Sequence, residues 1–366
     1  MRRLLVTAAA VSAGLLAAPA SAATPAHDAR PVLDATPALD AAAAGTTIVV
    51  AQDGSGDVTT VQAAVDAAPA GSTEGVEIVI QPGVYREVVK VGRDKPNLSF
   101  VGATGDPADV VITYDNAAGT PKPDGSGTYG TTGSATVTLA GAGFTAESVT
   151  FENAFDEQAH PEITNRQSVA VKTTADRMVF DDVRFLGNQD TLYLDSPNAT
   201  TPARVYVHDS WIEGDVDFIF GRATAVIEDS TIKALRRDSD PSGYIVAPST
   251  SSADWLGFLI TDSRLISNAG PDSYFLGRPW RPSSYPTAEP QVVVRDSFLG
   301  NHIKDDPWTS MSGKDWADGR ALEYRNWGPG AEINADRPQL DDEAAASYEV
   351  ADYLAGDDGW DPTTGR

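Results

Sequence analysis

Cysteine is absent from the 366 residues of this chain, so no disulfide bond can stabilise its fold. The same absence excludes a cysteine nucleophile and a thiolate metal site. Stability must come from a hydrophobic core instead, and a hydrophobic content of 41% is enough to build one. The length is compatible with one large domain or with two ordinary ones.

Histidine is scarce, and enzyme motifs that often accompany it are missing. The chain has 4 histidines without the spacing of a metal site, and it has no G-x-S-x-G nucleophile motif. No glycine-rich phosphate loop lies between a strand and a helix. These absences argue against a serine–histidine hydrolase and a zinc enzyme. We therefore predict neither a metal nor a cofactor.

Basic residues are outnumbered, with 27 Lys and Arg against 52 Asp and Glu and a net charge of −25 at pH 7. Such an acidic chain is not expected to bind nucleic acid or an anionic membrane. Beyond the N-terminus, no stretch of the sequence is long and apolar enough for a membrane helix. Nothing in the sequence indicates an oligomer, so we predict a monomer.

The N-terminus has the pattern of a secretory signal. Two arginines, a mostly apolar run up to Ala18 and a small-residue cleavage site ending at Ala22 follow one another. We predict a signal peptide over residues 1–22, a flexible linker or short pro-segment over residues 23–45 and one folded domain over residues 46–366. The mature protein is then secreted and extracellular.

A short pattern recurs along the folded part of the chain. Each copy has apolar residues, then an acid, then Ser or Val, one further residue and an apolar residue. The acids recur at intervals of 20 to 35 residues: Glu147, Asp182, Asp209, Asp229, Asp262 and Asp296. We interpret them as turn residues that bond nearby backbone rather than as catalytic groups.

An interval near twenty residues is typical of one coil of a right-handed parallel β-helix with variable insertions. We therefore predict an all-β fold with a first strand over Thr46–Val50 and a short helix from Thr59 or Thr60 to about Ala68. A C-terminal helical or loop segment is expected to cover the side or the end of the coils. The alternative is a β-sandwich, which more often has hairpin turns about every 8–12 residues.

Acids, amides and one arginine remain as candidates for chemistry. Equivalent strands of successive coils stack about 4.8 Å apart, so residues distant in sequence can line one ladder. Four candidates are expected to start or end strands on one face: Gln167, Gln189, Asp217 and Arg278. Asp190 directly follows Gln189.

The segment GDVDFIFG, residues 214–221, holds two acids beside much apolar surface. Strand alternation places Asp215 and Asp217 on the same face, so periodicity alone does not choose between them. By the same rule, Phe218 and Phe220 share a face opposite Ile219. A carboxylate buried here is unfavourable unless it is paired or used.

Five motifs, in this order, resemble those of pectin methylesterases, also called pectinesterases: GVYREVV, QSVAV, GNQDTLY, DVDFIFG and LGRPW. The resemblance covers roughly residues 46–355. The segments KPDGSGTYGTTGSATV and PWTSMSGKDW are similar to the bacterial branch of that family. The resemblance implies a carboxylic-ester hydrolase that removes methyl esters from pectin (homogalacturonan) and releases methanol and pectate.

The resemblance also implies a role for each candidate. Asp217 would be the nucleophile that attacks the ester carbonyl. Asp190 would protonate the departing methanol and then activate water. Gln167 and Gln189 would stabilise the oxyanion, and Arg278 would orient Asp217 and keep it ionised.

Substrate contacts are implied in the same way. Five residues would line the sugar groove: Trp280, Tyr193, Phe220, Thr131 and Met311. Asp215 is then left as a turn or rim residue. Residues 196–203, SPNATTPA, make the chain longer here than in the plant members of the family. They would form a loop at the groove edge. The shape of the groove is therefore not predicted.

Two other functions stay open at this point. A polysaccharide lyase or glycosidase can share the fold, although the sequence shows no tight acid cluster beside a lone Lys or Arg, as a calcium-dependent lyase needs. A non-catalytic carbohydrate-binding protein would use the tryptophans and tyrosines. It would not explain paired acids beside paired amides.

Overall fold

The computed structural model describes residues 45–251 and 254–364. The predicted signal peptide lies outside these residues, as does the predicted linker apart from Gly45. Within the described ranges, no helix has the length and apolar character needed to cross a membrane.

Short strands make up most of the described chain. In chain order they are β1 (Thr46–Val50), β2 (Val76–Ile80), β3 (Gly83–Arg86), β4 (Val89–Val91), β5 (Leu98–Gly102), β6 (Val110–Tyr114), β7 (Val137–Leu139), β8 (Thr145–Glu147), β9 (Thr150–Asn153), β10 (Val171–Thr173), β11 (Met178–Asp181), β12 (Arg184–Leu186), β13 (Leu192–Leu194), β14 (Arg204–His208), β15 (Trp211–Gly214), β16 (Val216–Gly221), β17 (Thr224–Glu228), β18 (Thr231–Ala234), β19 (Gly243–Pro248), β20 (Phe258–Thr261), β21 (Arg264–Ser267), β22 (Tyr274–Gly277), β23 (Gln291–Arg295), β24 (Phe298–Leu299) and β25 (Arg320–Tyr324). The helices are α1 (Val61–Ala67), α2 (Gly130–Gly133), α3 (Asp342–Ala345) and α4 (Val350–Ala355), with 3₁₀ turns at Trp316–Asp318 and Ala346–Tyr348.

Three sheets run along the stack of coils. Sheet A has the order β1-β2-β5-β8-β11-β14-β17-β20-β23-β25, sheet B has β24-β21-β18-β15-β12-β9-β6-β3, and sheet C has β22-β19-β16-β13-β10-β7-β4. Neighbours are parallel and come from successive coils, as β13, β16 and β19 show. The fold is the predicted right-handed parallel β-helix. The alternative of a β-sandwich is wrong.

The repeated acids lie at the corner between sheets A and B, where the chain turns sharply. Five of them have φ between 42° and 50°: Asp182, Asp209, Asp229, Asp262 and Asp296. Aspartate enters this left-handed region more readily than most residues because its side chain is short and polar. The prediction that these acids are turn residues is confirmed.

Two details of that prediction are wrong. In the first copy of the repeat, Glu147 ends β8, and the left-handed residue is the next one, Ser148, with φ 53°. The carboxylates of Asp182, Asp262 and Asp296 also accept hydrogen bonds from side chains rather than from backbone. Ser148 Oγ donates to Asp182 at 2.9 Å, and Thr261 Oγ1 donates to Asp262 at 2.7 Å.

The apolar core fills the inside of the coils, and α1 covers its N-terminal end. Val61, Ala64 and Val65 of this helix are buried. Thr60 caps the helix, because its hydroxyl accepts a hydrogen bond from the backbone N–H of Ala63 at 3.2 Å. The predicted helix is therefore confirmed.

The C-terminal segment covers the side of the stack. Tyr353 and Leu354 of α4 are buried against the outer face of sheet A, where they contact a second apolar cluster. That cluster includes Val179, Val226 and Val293, which lie on β11, β17 and β23. Of the two positions that the sequence left open, the side is the one occupied.

Candidate active site

The outer face of sheet C forms the floor of the site. The strand register aligns Lys172 with Tyr193, Tyr193 with Phe220, and Phe220 with Ala247 on β10, β13, β16 and β19. Tyr193, Phe220 and Ala247 form a small apolar cluster separate from the core, and Trp280 packs against it. The sheet thus presents an aromatic patch to the outside of the coils.

A cavity of about 440 Å³ opens over this floor and contains every site residue that the sequence predicted. Those ten are Thr131, Gln167, Gln189, Asp190, Tyr193, Asp217, Phe220, Arg278, Trp280 and Met311. Five lining residues were not predicted: Thr132, Arg222, Ala247, Pro282 and Ser284. The placement is as expected, and the roles of the ten residues stay predictions.

Asp217 is held in the cavity by a two-pronged ion pair. Arg278 directly follows β22, and its Nε and Nη2 donate to the two carboxylate oxygens at 2.8 and 2.7 Å. Bidentate pairs of this kind fix the orientation of the carboxylate as well as its charge. Asp217 is only 6% exposed, so the pair lies largely out of water.

The prediction that Asp215 and Asp217 share a face is wrong. Asp217 has φ 48°, and the register between β16 and β19 shifts between Val216 and Ile219. This irregularity breaks the alternation on which the prediction relied. Asp215 instead lines a separate cavity, and its carboxylate lies 3.3 Å from Arg237.

Asp215 is therefore the turn residue between β15 and β16, as predicted, but it is not on a rim. It is 4% exposed, and Val216 N donates to its Oδ1 at 2.6 Å. Burial raises the pKa of Asp215 to about 6, and the guanidinium of Arg237 opposes the rise.

The same irregularity separates the two phenylalanines of this strand. Phe218 is fully buried in the core of the coils together with Ile219, whereas Phe220 belongs to the aromatic patch of the groove. The expectation that Phe218 and Phe220 share a face opposite Ile219 is wrong. The left-handed residue just before Phe218 reverses the inward and outward order.

The two carboxylates of the cavity titrate differently. Burial raises the pKa of Asp190 well above its ordinary value, and the charge of Asp217 raises it further. Burial also raises the pKa of Asp217, but the hydrogen bonds and charge of Arg278 oppose this rise. Burial thus favours the protonated form of Asp190, whereas Arg278 favours the ionised form of Asp217, and acid–base catalysis by two carboxyl groups requires such a difference between them.

Gln189 directly precedes Asp190 ahead of β13, and Gln167 precedes β10, the strand that pairs with β13. Ser168 N donates to Gln189 O at 2.9 Å, and Asp190 N donates to Val216 O at 3.0 Å, so successive coils hold these residues at one level. Asp190 is in the left-handed region, with φ 67°. Within residues 45–251 and 254–364, the side-chain amide of Gln167 has no hydrogen-bond partner and remains available to a substrate.

Tyr244 is a site residue that the sequence analysis missed. Its ring on β19 lies under the guanidinium of Arg278, with 3.6 Å between Cζ and the ring centroid. The ring also stacks on Phe275 of β22 at 5.5 Å. The sequence alone could not indicate Tyr244, because its position next to Arg278 follows only from the strand register of β19 and β22.

The aromatic patch suits the face of a sugar ring. Tyr193 and Phe220 stack with centroids 4.1 Å apart, and Trp280 meets both rings edge to face. Trp280 N donates to Pro248 O at 2.9 Å, which fixes the loop after β22 against β19. The apolar faces of sugars pack on such rings by burial of C–H surface.

The segment 196–203 connects β13 to β14 and begins at the cavity. Ser196 O accepts a hydrogen bond from Nη2 of Arg222 at 3.4 Å, and Arg222 lines the cavity. Ser251 Oγ donates to Ala199 O, which ties the loop to the residues after β19. The position of segment 196–203 agrees with the expected loop at the groove edge.

The lyase alternative finds no support in the described part of the chain. There, no group of three or more His, Cys, Asp and Glu side chains is arranged to hold a metal ion. The cavity instead offers two carboxylates of different pKa, amide donors and an aromatic floor. That set fits attack on an ester of a sugar acid.

Comparison with known proteins supports the same family as the sequence motifs. The family model for pectinesterases matches residues 47–357. The chain belongs to the pectinesterase family. Pectinesterase A of Dickeya dadantii is 38% identical over 83% of this chain and 88% of its own length.

Solved structures of pectin methylesterases are similar throughout the fold. Pectin methylesterase PemA from Erwinia chrysanthemi has a TM-score of 0.77 and 35% identity over 87% of this chain and 98% of its own. A pectin methylesterase in complex with hexasaccharide VII has a TM-score of 0.77 and 36% identity over 88% of this chain and 99% of its own. The family resemblance stated from the motifs is confirmed.

Proposed function

We propose that this pectinesterase-family chain removes methyl esters from pectin by a two-aspartate mechanism and releases methanol and pectate. The observation that carries the mechanism is the Asp217–Arg278 ion pair in the same cavity as Asp190, a buried carboxyl group whose pKa is raised by burial. The substrate is supported by the family and by the related enzyme in complex with a hexasaccharide.

In the first half of the reaction, the ionised Asp217 attacks the carbonyl carbon of the methyl ester. The tetrahedral intermediate collapses as the bond to the methoxy oxygen breaks, and that oxygen takes the proton of Asp190 and leaves as methanol. The galacturonate carbonyl is then joined to Asp217 as an acid anhydride, and Asp190 is ionised.

In the second half, Asp190 takes a proton from water as the water attacks the sugar carbonyl. The bond to Asp217 breaks, which restores its carboxylate and leaves the galacturonate carboxyl group on the polymer. Gln167 and Gln189 donate to the oxyanion in both halves. Neutral amides suit this task because they stabilise developing charge without forming an ion pair with either catalytic acid.

The remaining parts of the proposal concern the setting of the enzyme. We expect residues 1–22 to be removed as a signal peptide and the mature chain to act outside the cell as a monomer. N-terminal sequencing of the protein from culture medium tests the first point. A first residue of Met1 would contradict it.

The activity itself is tested by following two products of methylated pectin. The proposal predicts methanol release without unsaturated sugar products that absorb in the ultraviolet, and it predicts that Asp190→Asn loses most of that release. Ultraviolet-absorbing products without methanol would favour a lyase. Pectin binding without methanol release, unchanged in Asp190→Asn, would favour a non-catalytic binding protein.

A further inference from the structure

The ion pair between Arg278 and Asp217 bridges an intervening strand. Sheet C has the order β22-β19-β16, Arg278 directly follows β22, and Asp217 lies on β16. Neighbouring strands lie about 4.8 Å apart, so the pair spans roughly 10 Å across β19. The backbone N–H of Arg278 donates to Val246 O at 3.0 Å and fixes one end of this bridge, and the Asp217 carboxylate holds the other end. The long side chain between them needs a support of its own.

Tyr244 lies on the strand that the side chain crosses. The register pairs Tyr244 with Val216 of β16 and with Phe275 of β22. The Arg278 Cζ lies 3.6 Å from the centroid of the Tyr244 ring, so the guanidinium rests on the ring face. A cation this close to an aromatic face is attracted by the ring quadrupole. The attraction is stronger where water is excluded, as it is around the buried Asp217.

The Tyr244 ring is in turn held by a second ring. Phe275 stacks on Tyr244 with the ring planes 7° apart and the centroids 5.5 Å apart. Lys304 Nζ lies 5.4 Å from the centroid of Phe275 and donates to Asp272 O at 2.8 Å. The Tyr244 ring loses this stack if it turns away. The pairing of β19 with β22 thus sets the plane on which the Arg278 guanidinium rests.

Tyr244 contacts the ion pair from outside the cavity. Among the described residues that line the cavity of about 440 Å³, Arg278 and Asp217 are present and Tyr244 is not. Within residues 45–251 and 254–364, the Tyr244 hydroxyl makes no hydrogen bond, so its contact with Arg278 is made by the ring face. A residue placed in this way acts on the reaction through Arg278 and not through the substrate.

We propose that Tyr244 is a positioning residue, whose ring face holds the Arg278 guanidinium in the orientation that pairs with both carboxylate oxygens of Asp217. This inference rests on the proposed function, in which the ionised Asp217 is the nucleophile. Without the ring, the guanidinium has more orientations, and few of them make both hydrogen bonds. A carboxylate that is paired with Arg278 for less of the time takes up a proton at higher pH.

The test measures kcat/KM for methanol release against pH in the wild type, Tyr244→Phe, Tyr244→Leu, Arg278→Gln and the double variant of Tyr244→Leu with Arg278→Gln. Tyr114→Leu is a matched control. There the Arg86 guanidinium lies 4.7 Å from the centroid of the Tyr114 ring and pairs with Asp115 at 2.7 Å, outside the cavity. Thermal unfolding checks that each variant is folded.

We expect Tyr244→Leu to move the acid limb of this profile upward by about 0.5 to 1 pH unit, in the same direction as Arg278→Gln. Tyr244→Phe keeps the ring face and should keep the wild-type limb, and Tyr114→Leu should keep it as well. In the Arg278→Gln background, Tyr244→Leu should add no shift, because its effect passes through the missing guanidinium.

An acid limb that stays in place in Tyr244→Leu would overturn the inference. A shift of the same size in Tyr244→Phe would assign the effect to the hydroxyl, and a loss of kcat/KM that is equal with and without Arg278 would assign Tyr244 to the substrate or to the fold alone. Either result contradicts the inference.

If Tyr244→Leu does not fold, Tyr244→Met decides by the same measurement, because methionine is flexible enough to fill the space but has no aromatic face. Failure of the proposed function is a different outcome, because the wild type would then release no methanol at any pH.

Discussion

At the scale of single residues, the two aspartates proposed as catalytic share an uncommon backbone conformation. Asp190 and Asp217 have φ of 67° and 48°, and both lie where the chain enters or runs along sheet C. A left-handed residue turns its side chain out of the regular alternation of the strand. This conformation aims both carboxylates into the groove while the apolar neighbours, Phe218 and Ile219, stay in the core.

Arg278→Gln should move the acid limb of the pH–rate profile upward. The guanidinium lowers the pKa of Asp217 against the effect of burial. Without it Asp217 takes up a proton at higher pH, and the nucleophile is lost there. Profiles of kcat/KM against pH for the variant and the wild type measure the shift. An acid limb that stays in place would show that Arg278 does not control this ionisation.

At the scale of strands and turns, the corner between sheets A and B shows why the repeat was visible in the sequence. Six successive coils have one residue in the left-handed region there, and aspartate occupies this position in five of them. The same backbone conformation recurs along these coils, so the same residue type recurs in the sequence. One coil has the uncharged Ser148 in this position, so the backbone conformation, and not the charge, determines where the repeated residue lies.

Asp209→Ala should therefore destabilise the protein by about 1–2 kcal/mol, because alanine is strained at φ 42°. Asp209→Asn should have little effect, because asparagine tolerates this conformation and also removes a like charge beside Asp182. Denaturant unfolding of both variants measures the difference. Equal losses of stability would mean that the charge, and not the backbone, decides the residue at this corner.

The sequence predicted the coil repeat, the terminal helices and ten residues of one cavity because each depends on local pattern or on family motifs. It did not predict the separation of Asp215 from Asp217, because the register shift of β16 depends on its pairing with β19. Tyr244 and Arg222 were missed for a similar reason. Their partners, Arg278 and Asp195, are 34 and 27 residues away in sequence and meet them only in the fold.

The packing of α4 on sheet A makes a separate prediction. Leu354→Ala should lower the free energy of unfolding by about 2–5 kcal/mol, because the side chain is fully buried against the sheet. Glu343→Ala on the exposed part of α3 is the control and should change little. Unfolding in denaturant measures both. An ordinary surface substitution changes the free energy of unfolding by about 0.5 kcal/mol or less. A loss no larger than that for Leu354→Ala would mean that α4 docks weakly.

At the scale of the whole molecule, buried ionisable groups away from the catalytic site give the stability two opposing dependences on pH. Burial lowers the pKa of His302 to about 4 from an ordinary 6.5, so the stability it contributes is lost as the pH falls between these values. Burial raises the pKa of Asp182 and Asp215 to about 6. Their contribution has the opposite sign and is lost as the pH rises from the ordinary pKa of 3.8 to about 6.

His302→Phe should isolate the first of these effects. The variant keeps an aromatic ring beside Tyr274 but removes the titration. Its free energy of unfolding should fall by less than that of the wild type between pH 6.5 and pH 4, by up to about 3 kcal/mol. Unfolding curves at these two pH values give the comparison. Parallel losses in the two proteins would show that His302 is not the group responsible.

The central claim is that Asp217 is the nucleophile of a pectin methylesterase, and the rate of methanol release by Asp217→Asn tests it most directly. Asp215→Asn is the matched control, two residues away in the same motif but lining a different cavity. We predict that Asp217→Asn loses at least about a thousandfold in kcat, while Asp215→Asn stays within about tenfold of the wild type. Wild-type methanol release by Asp217→Asn, or equal losses in the two variants, would contradict the account.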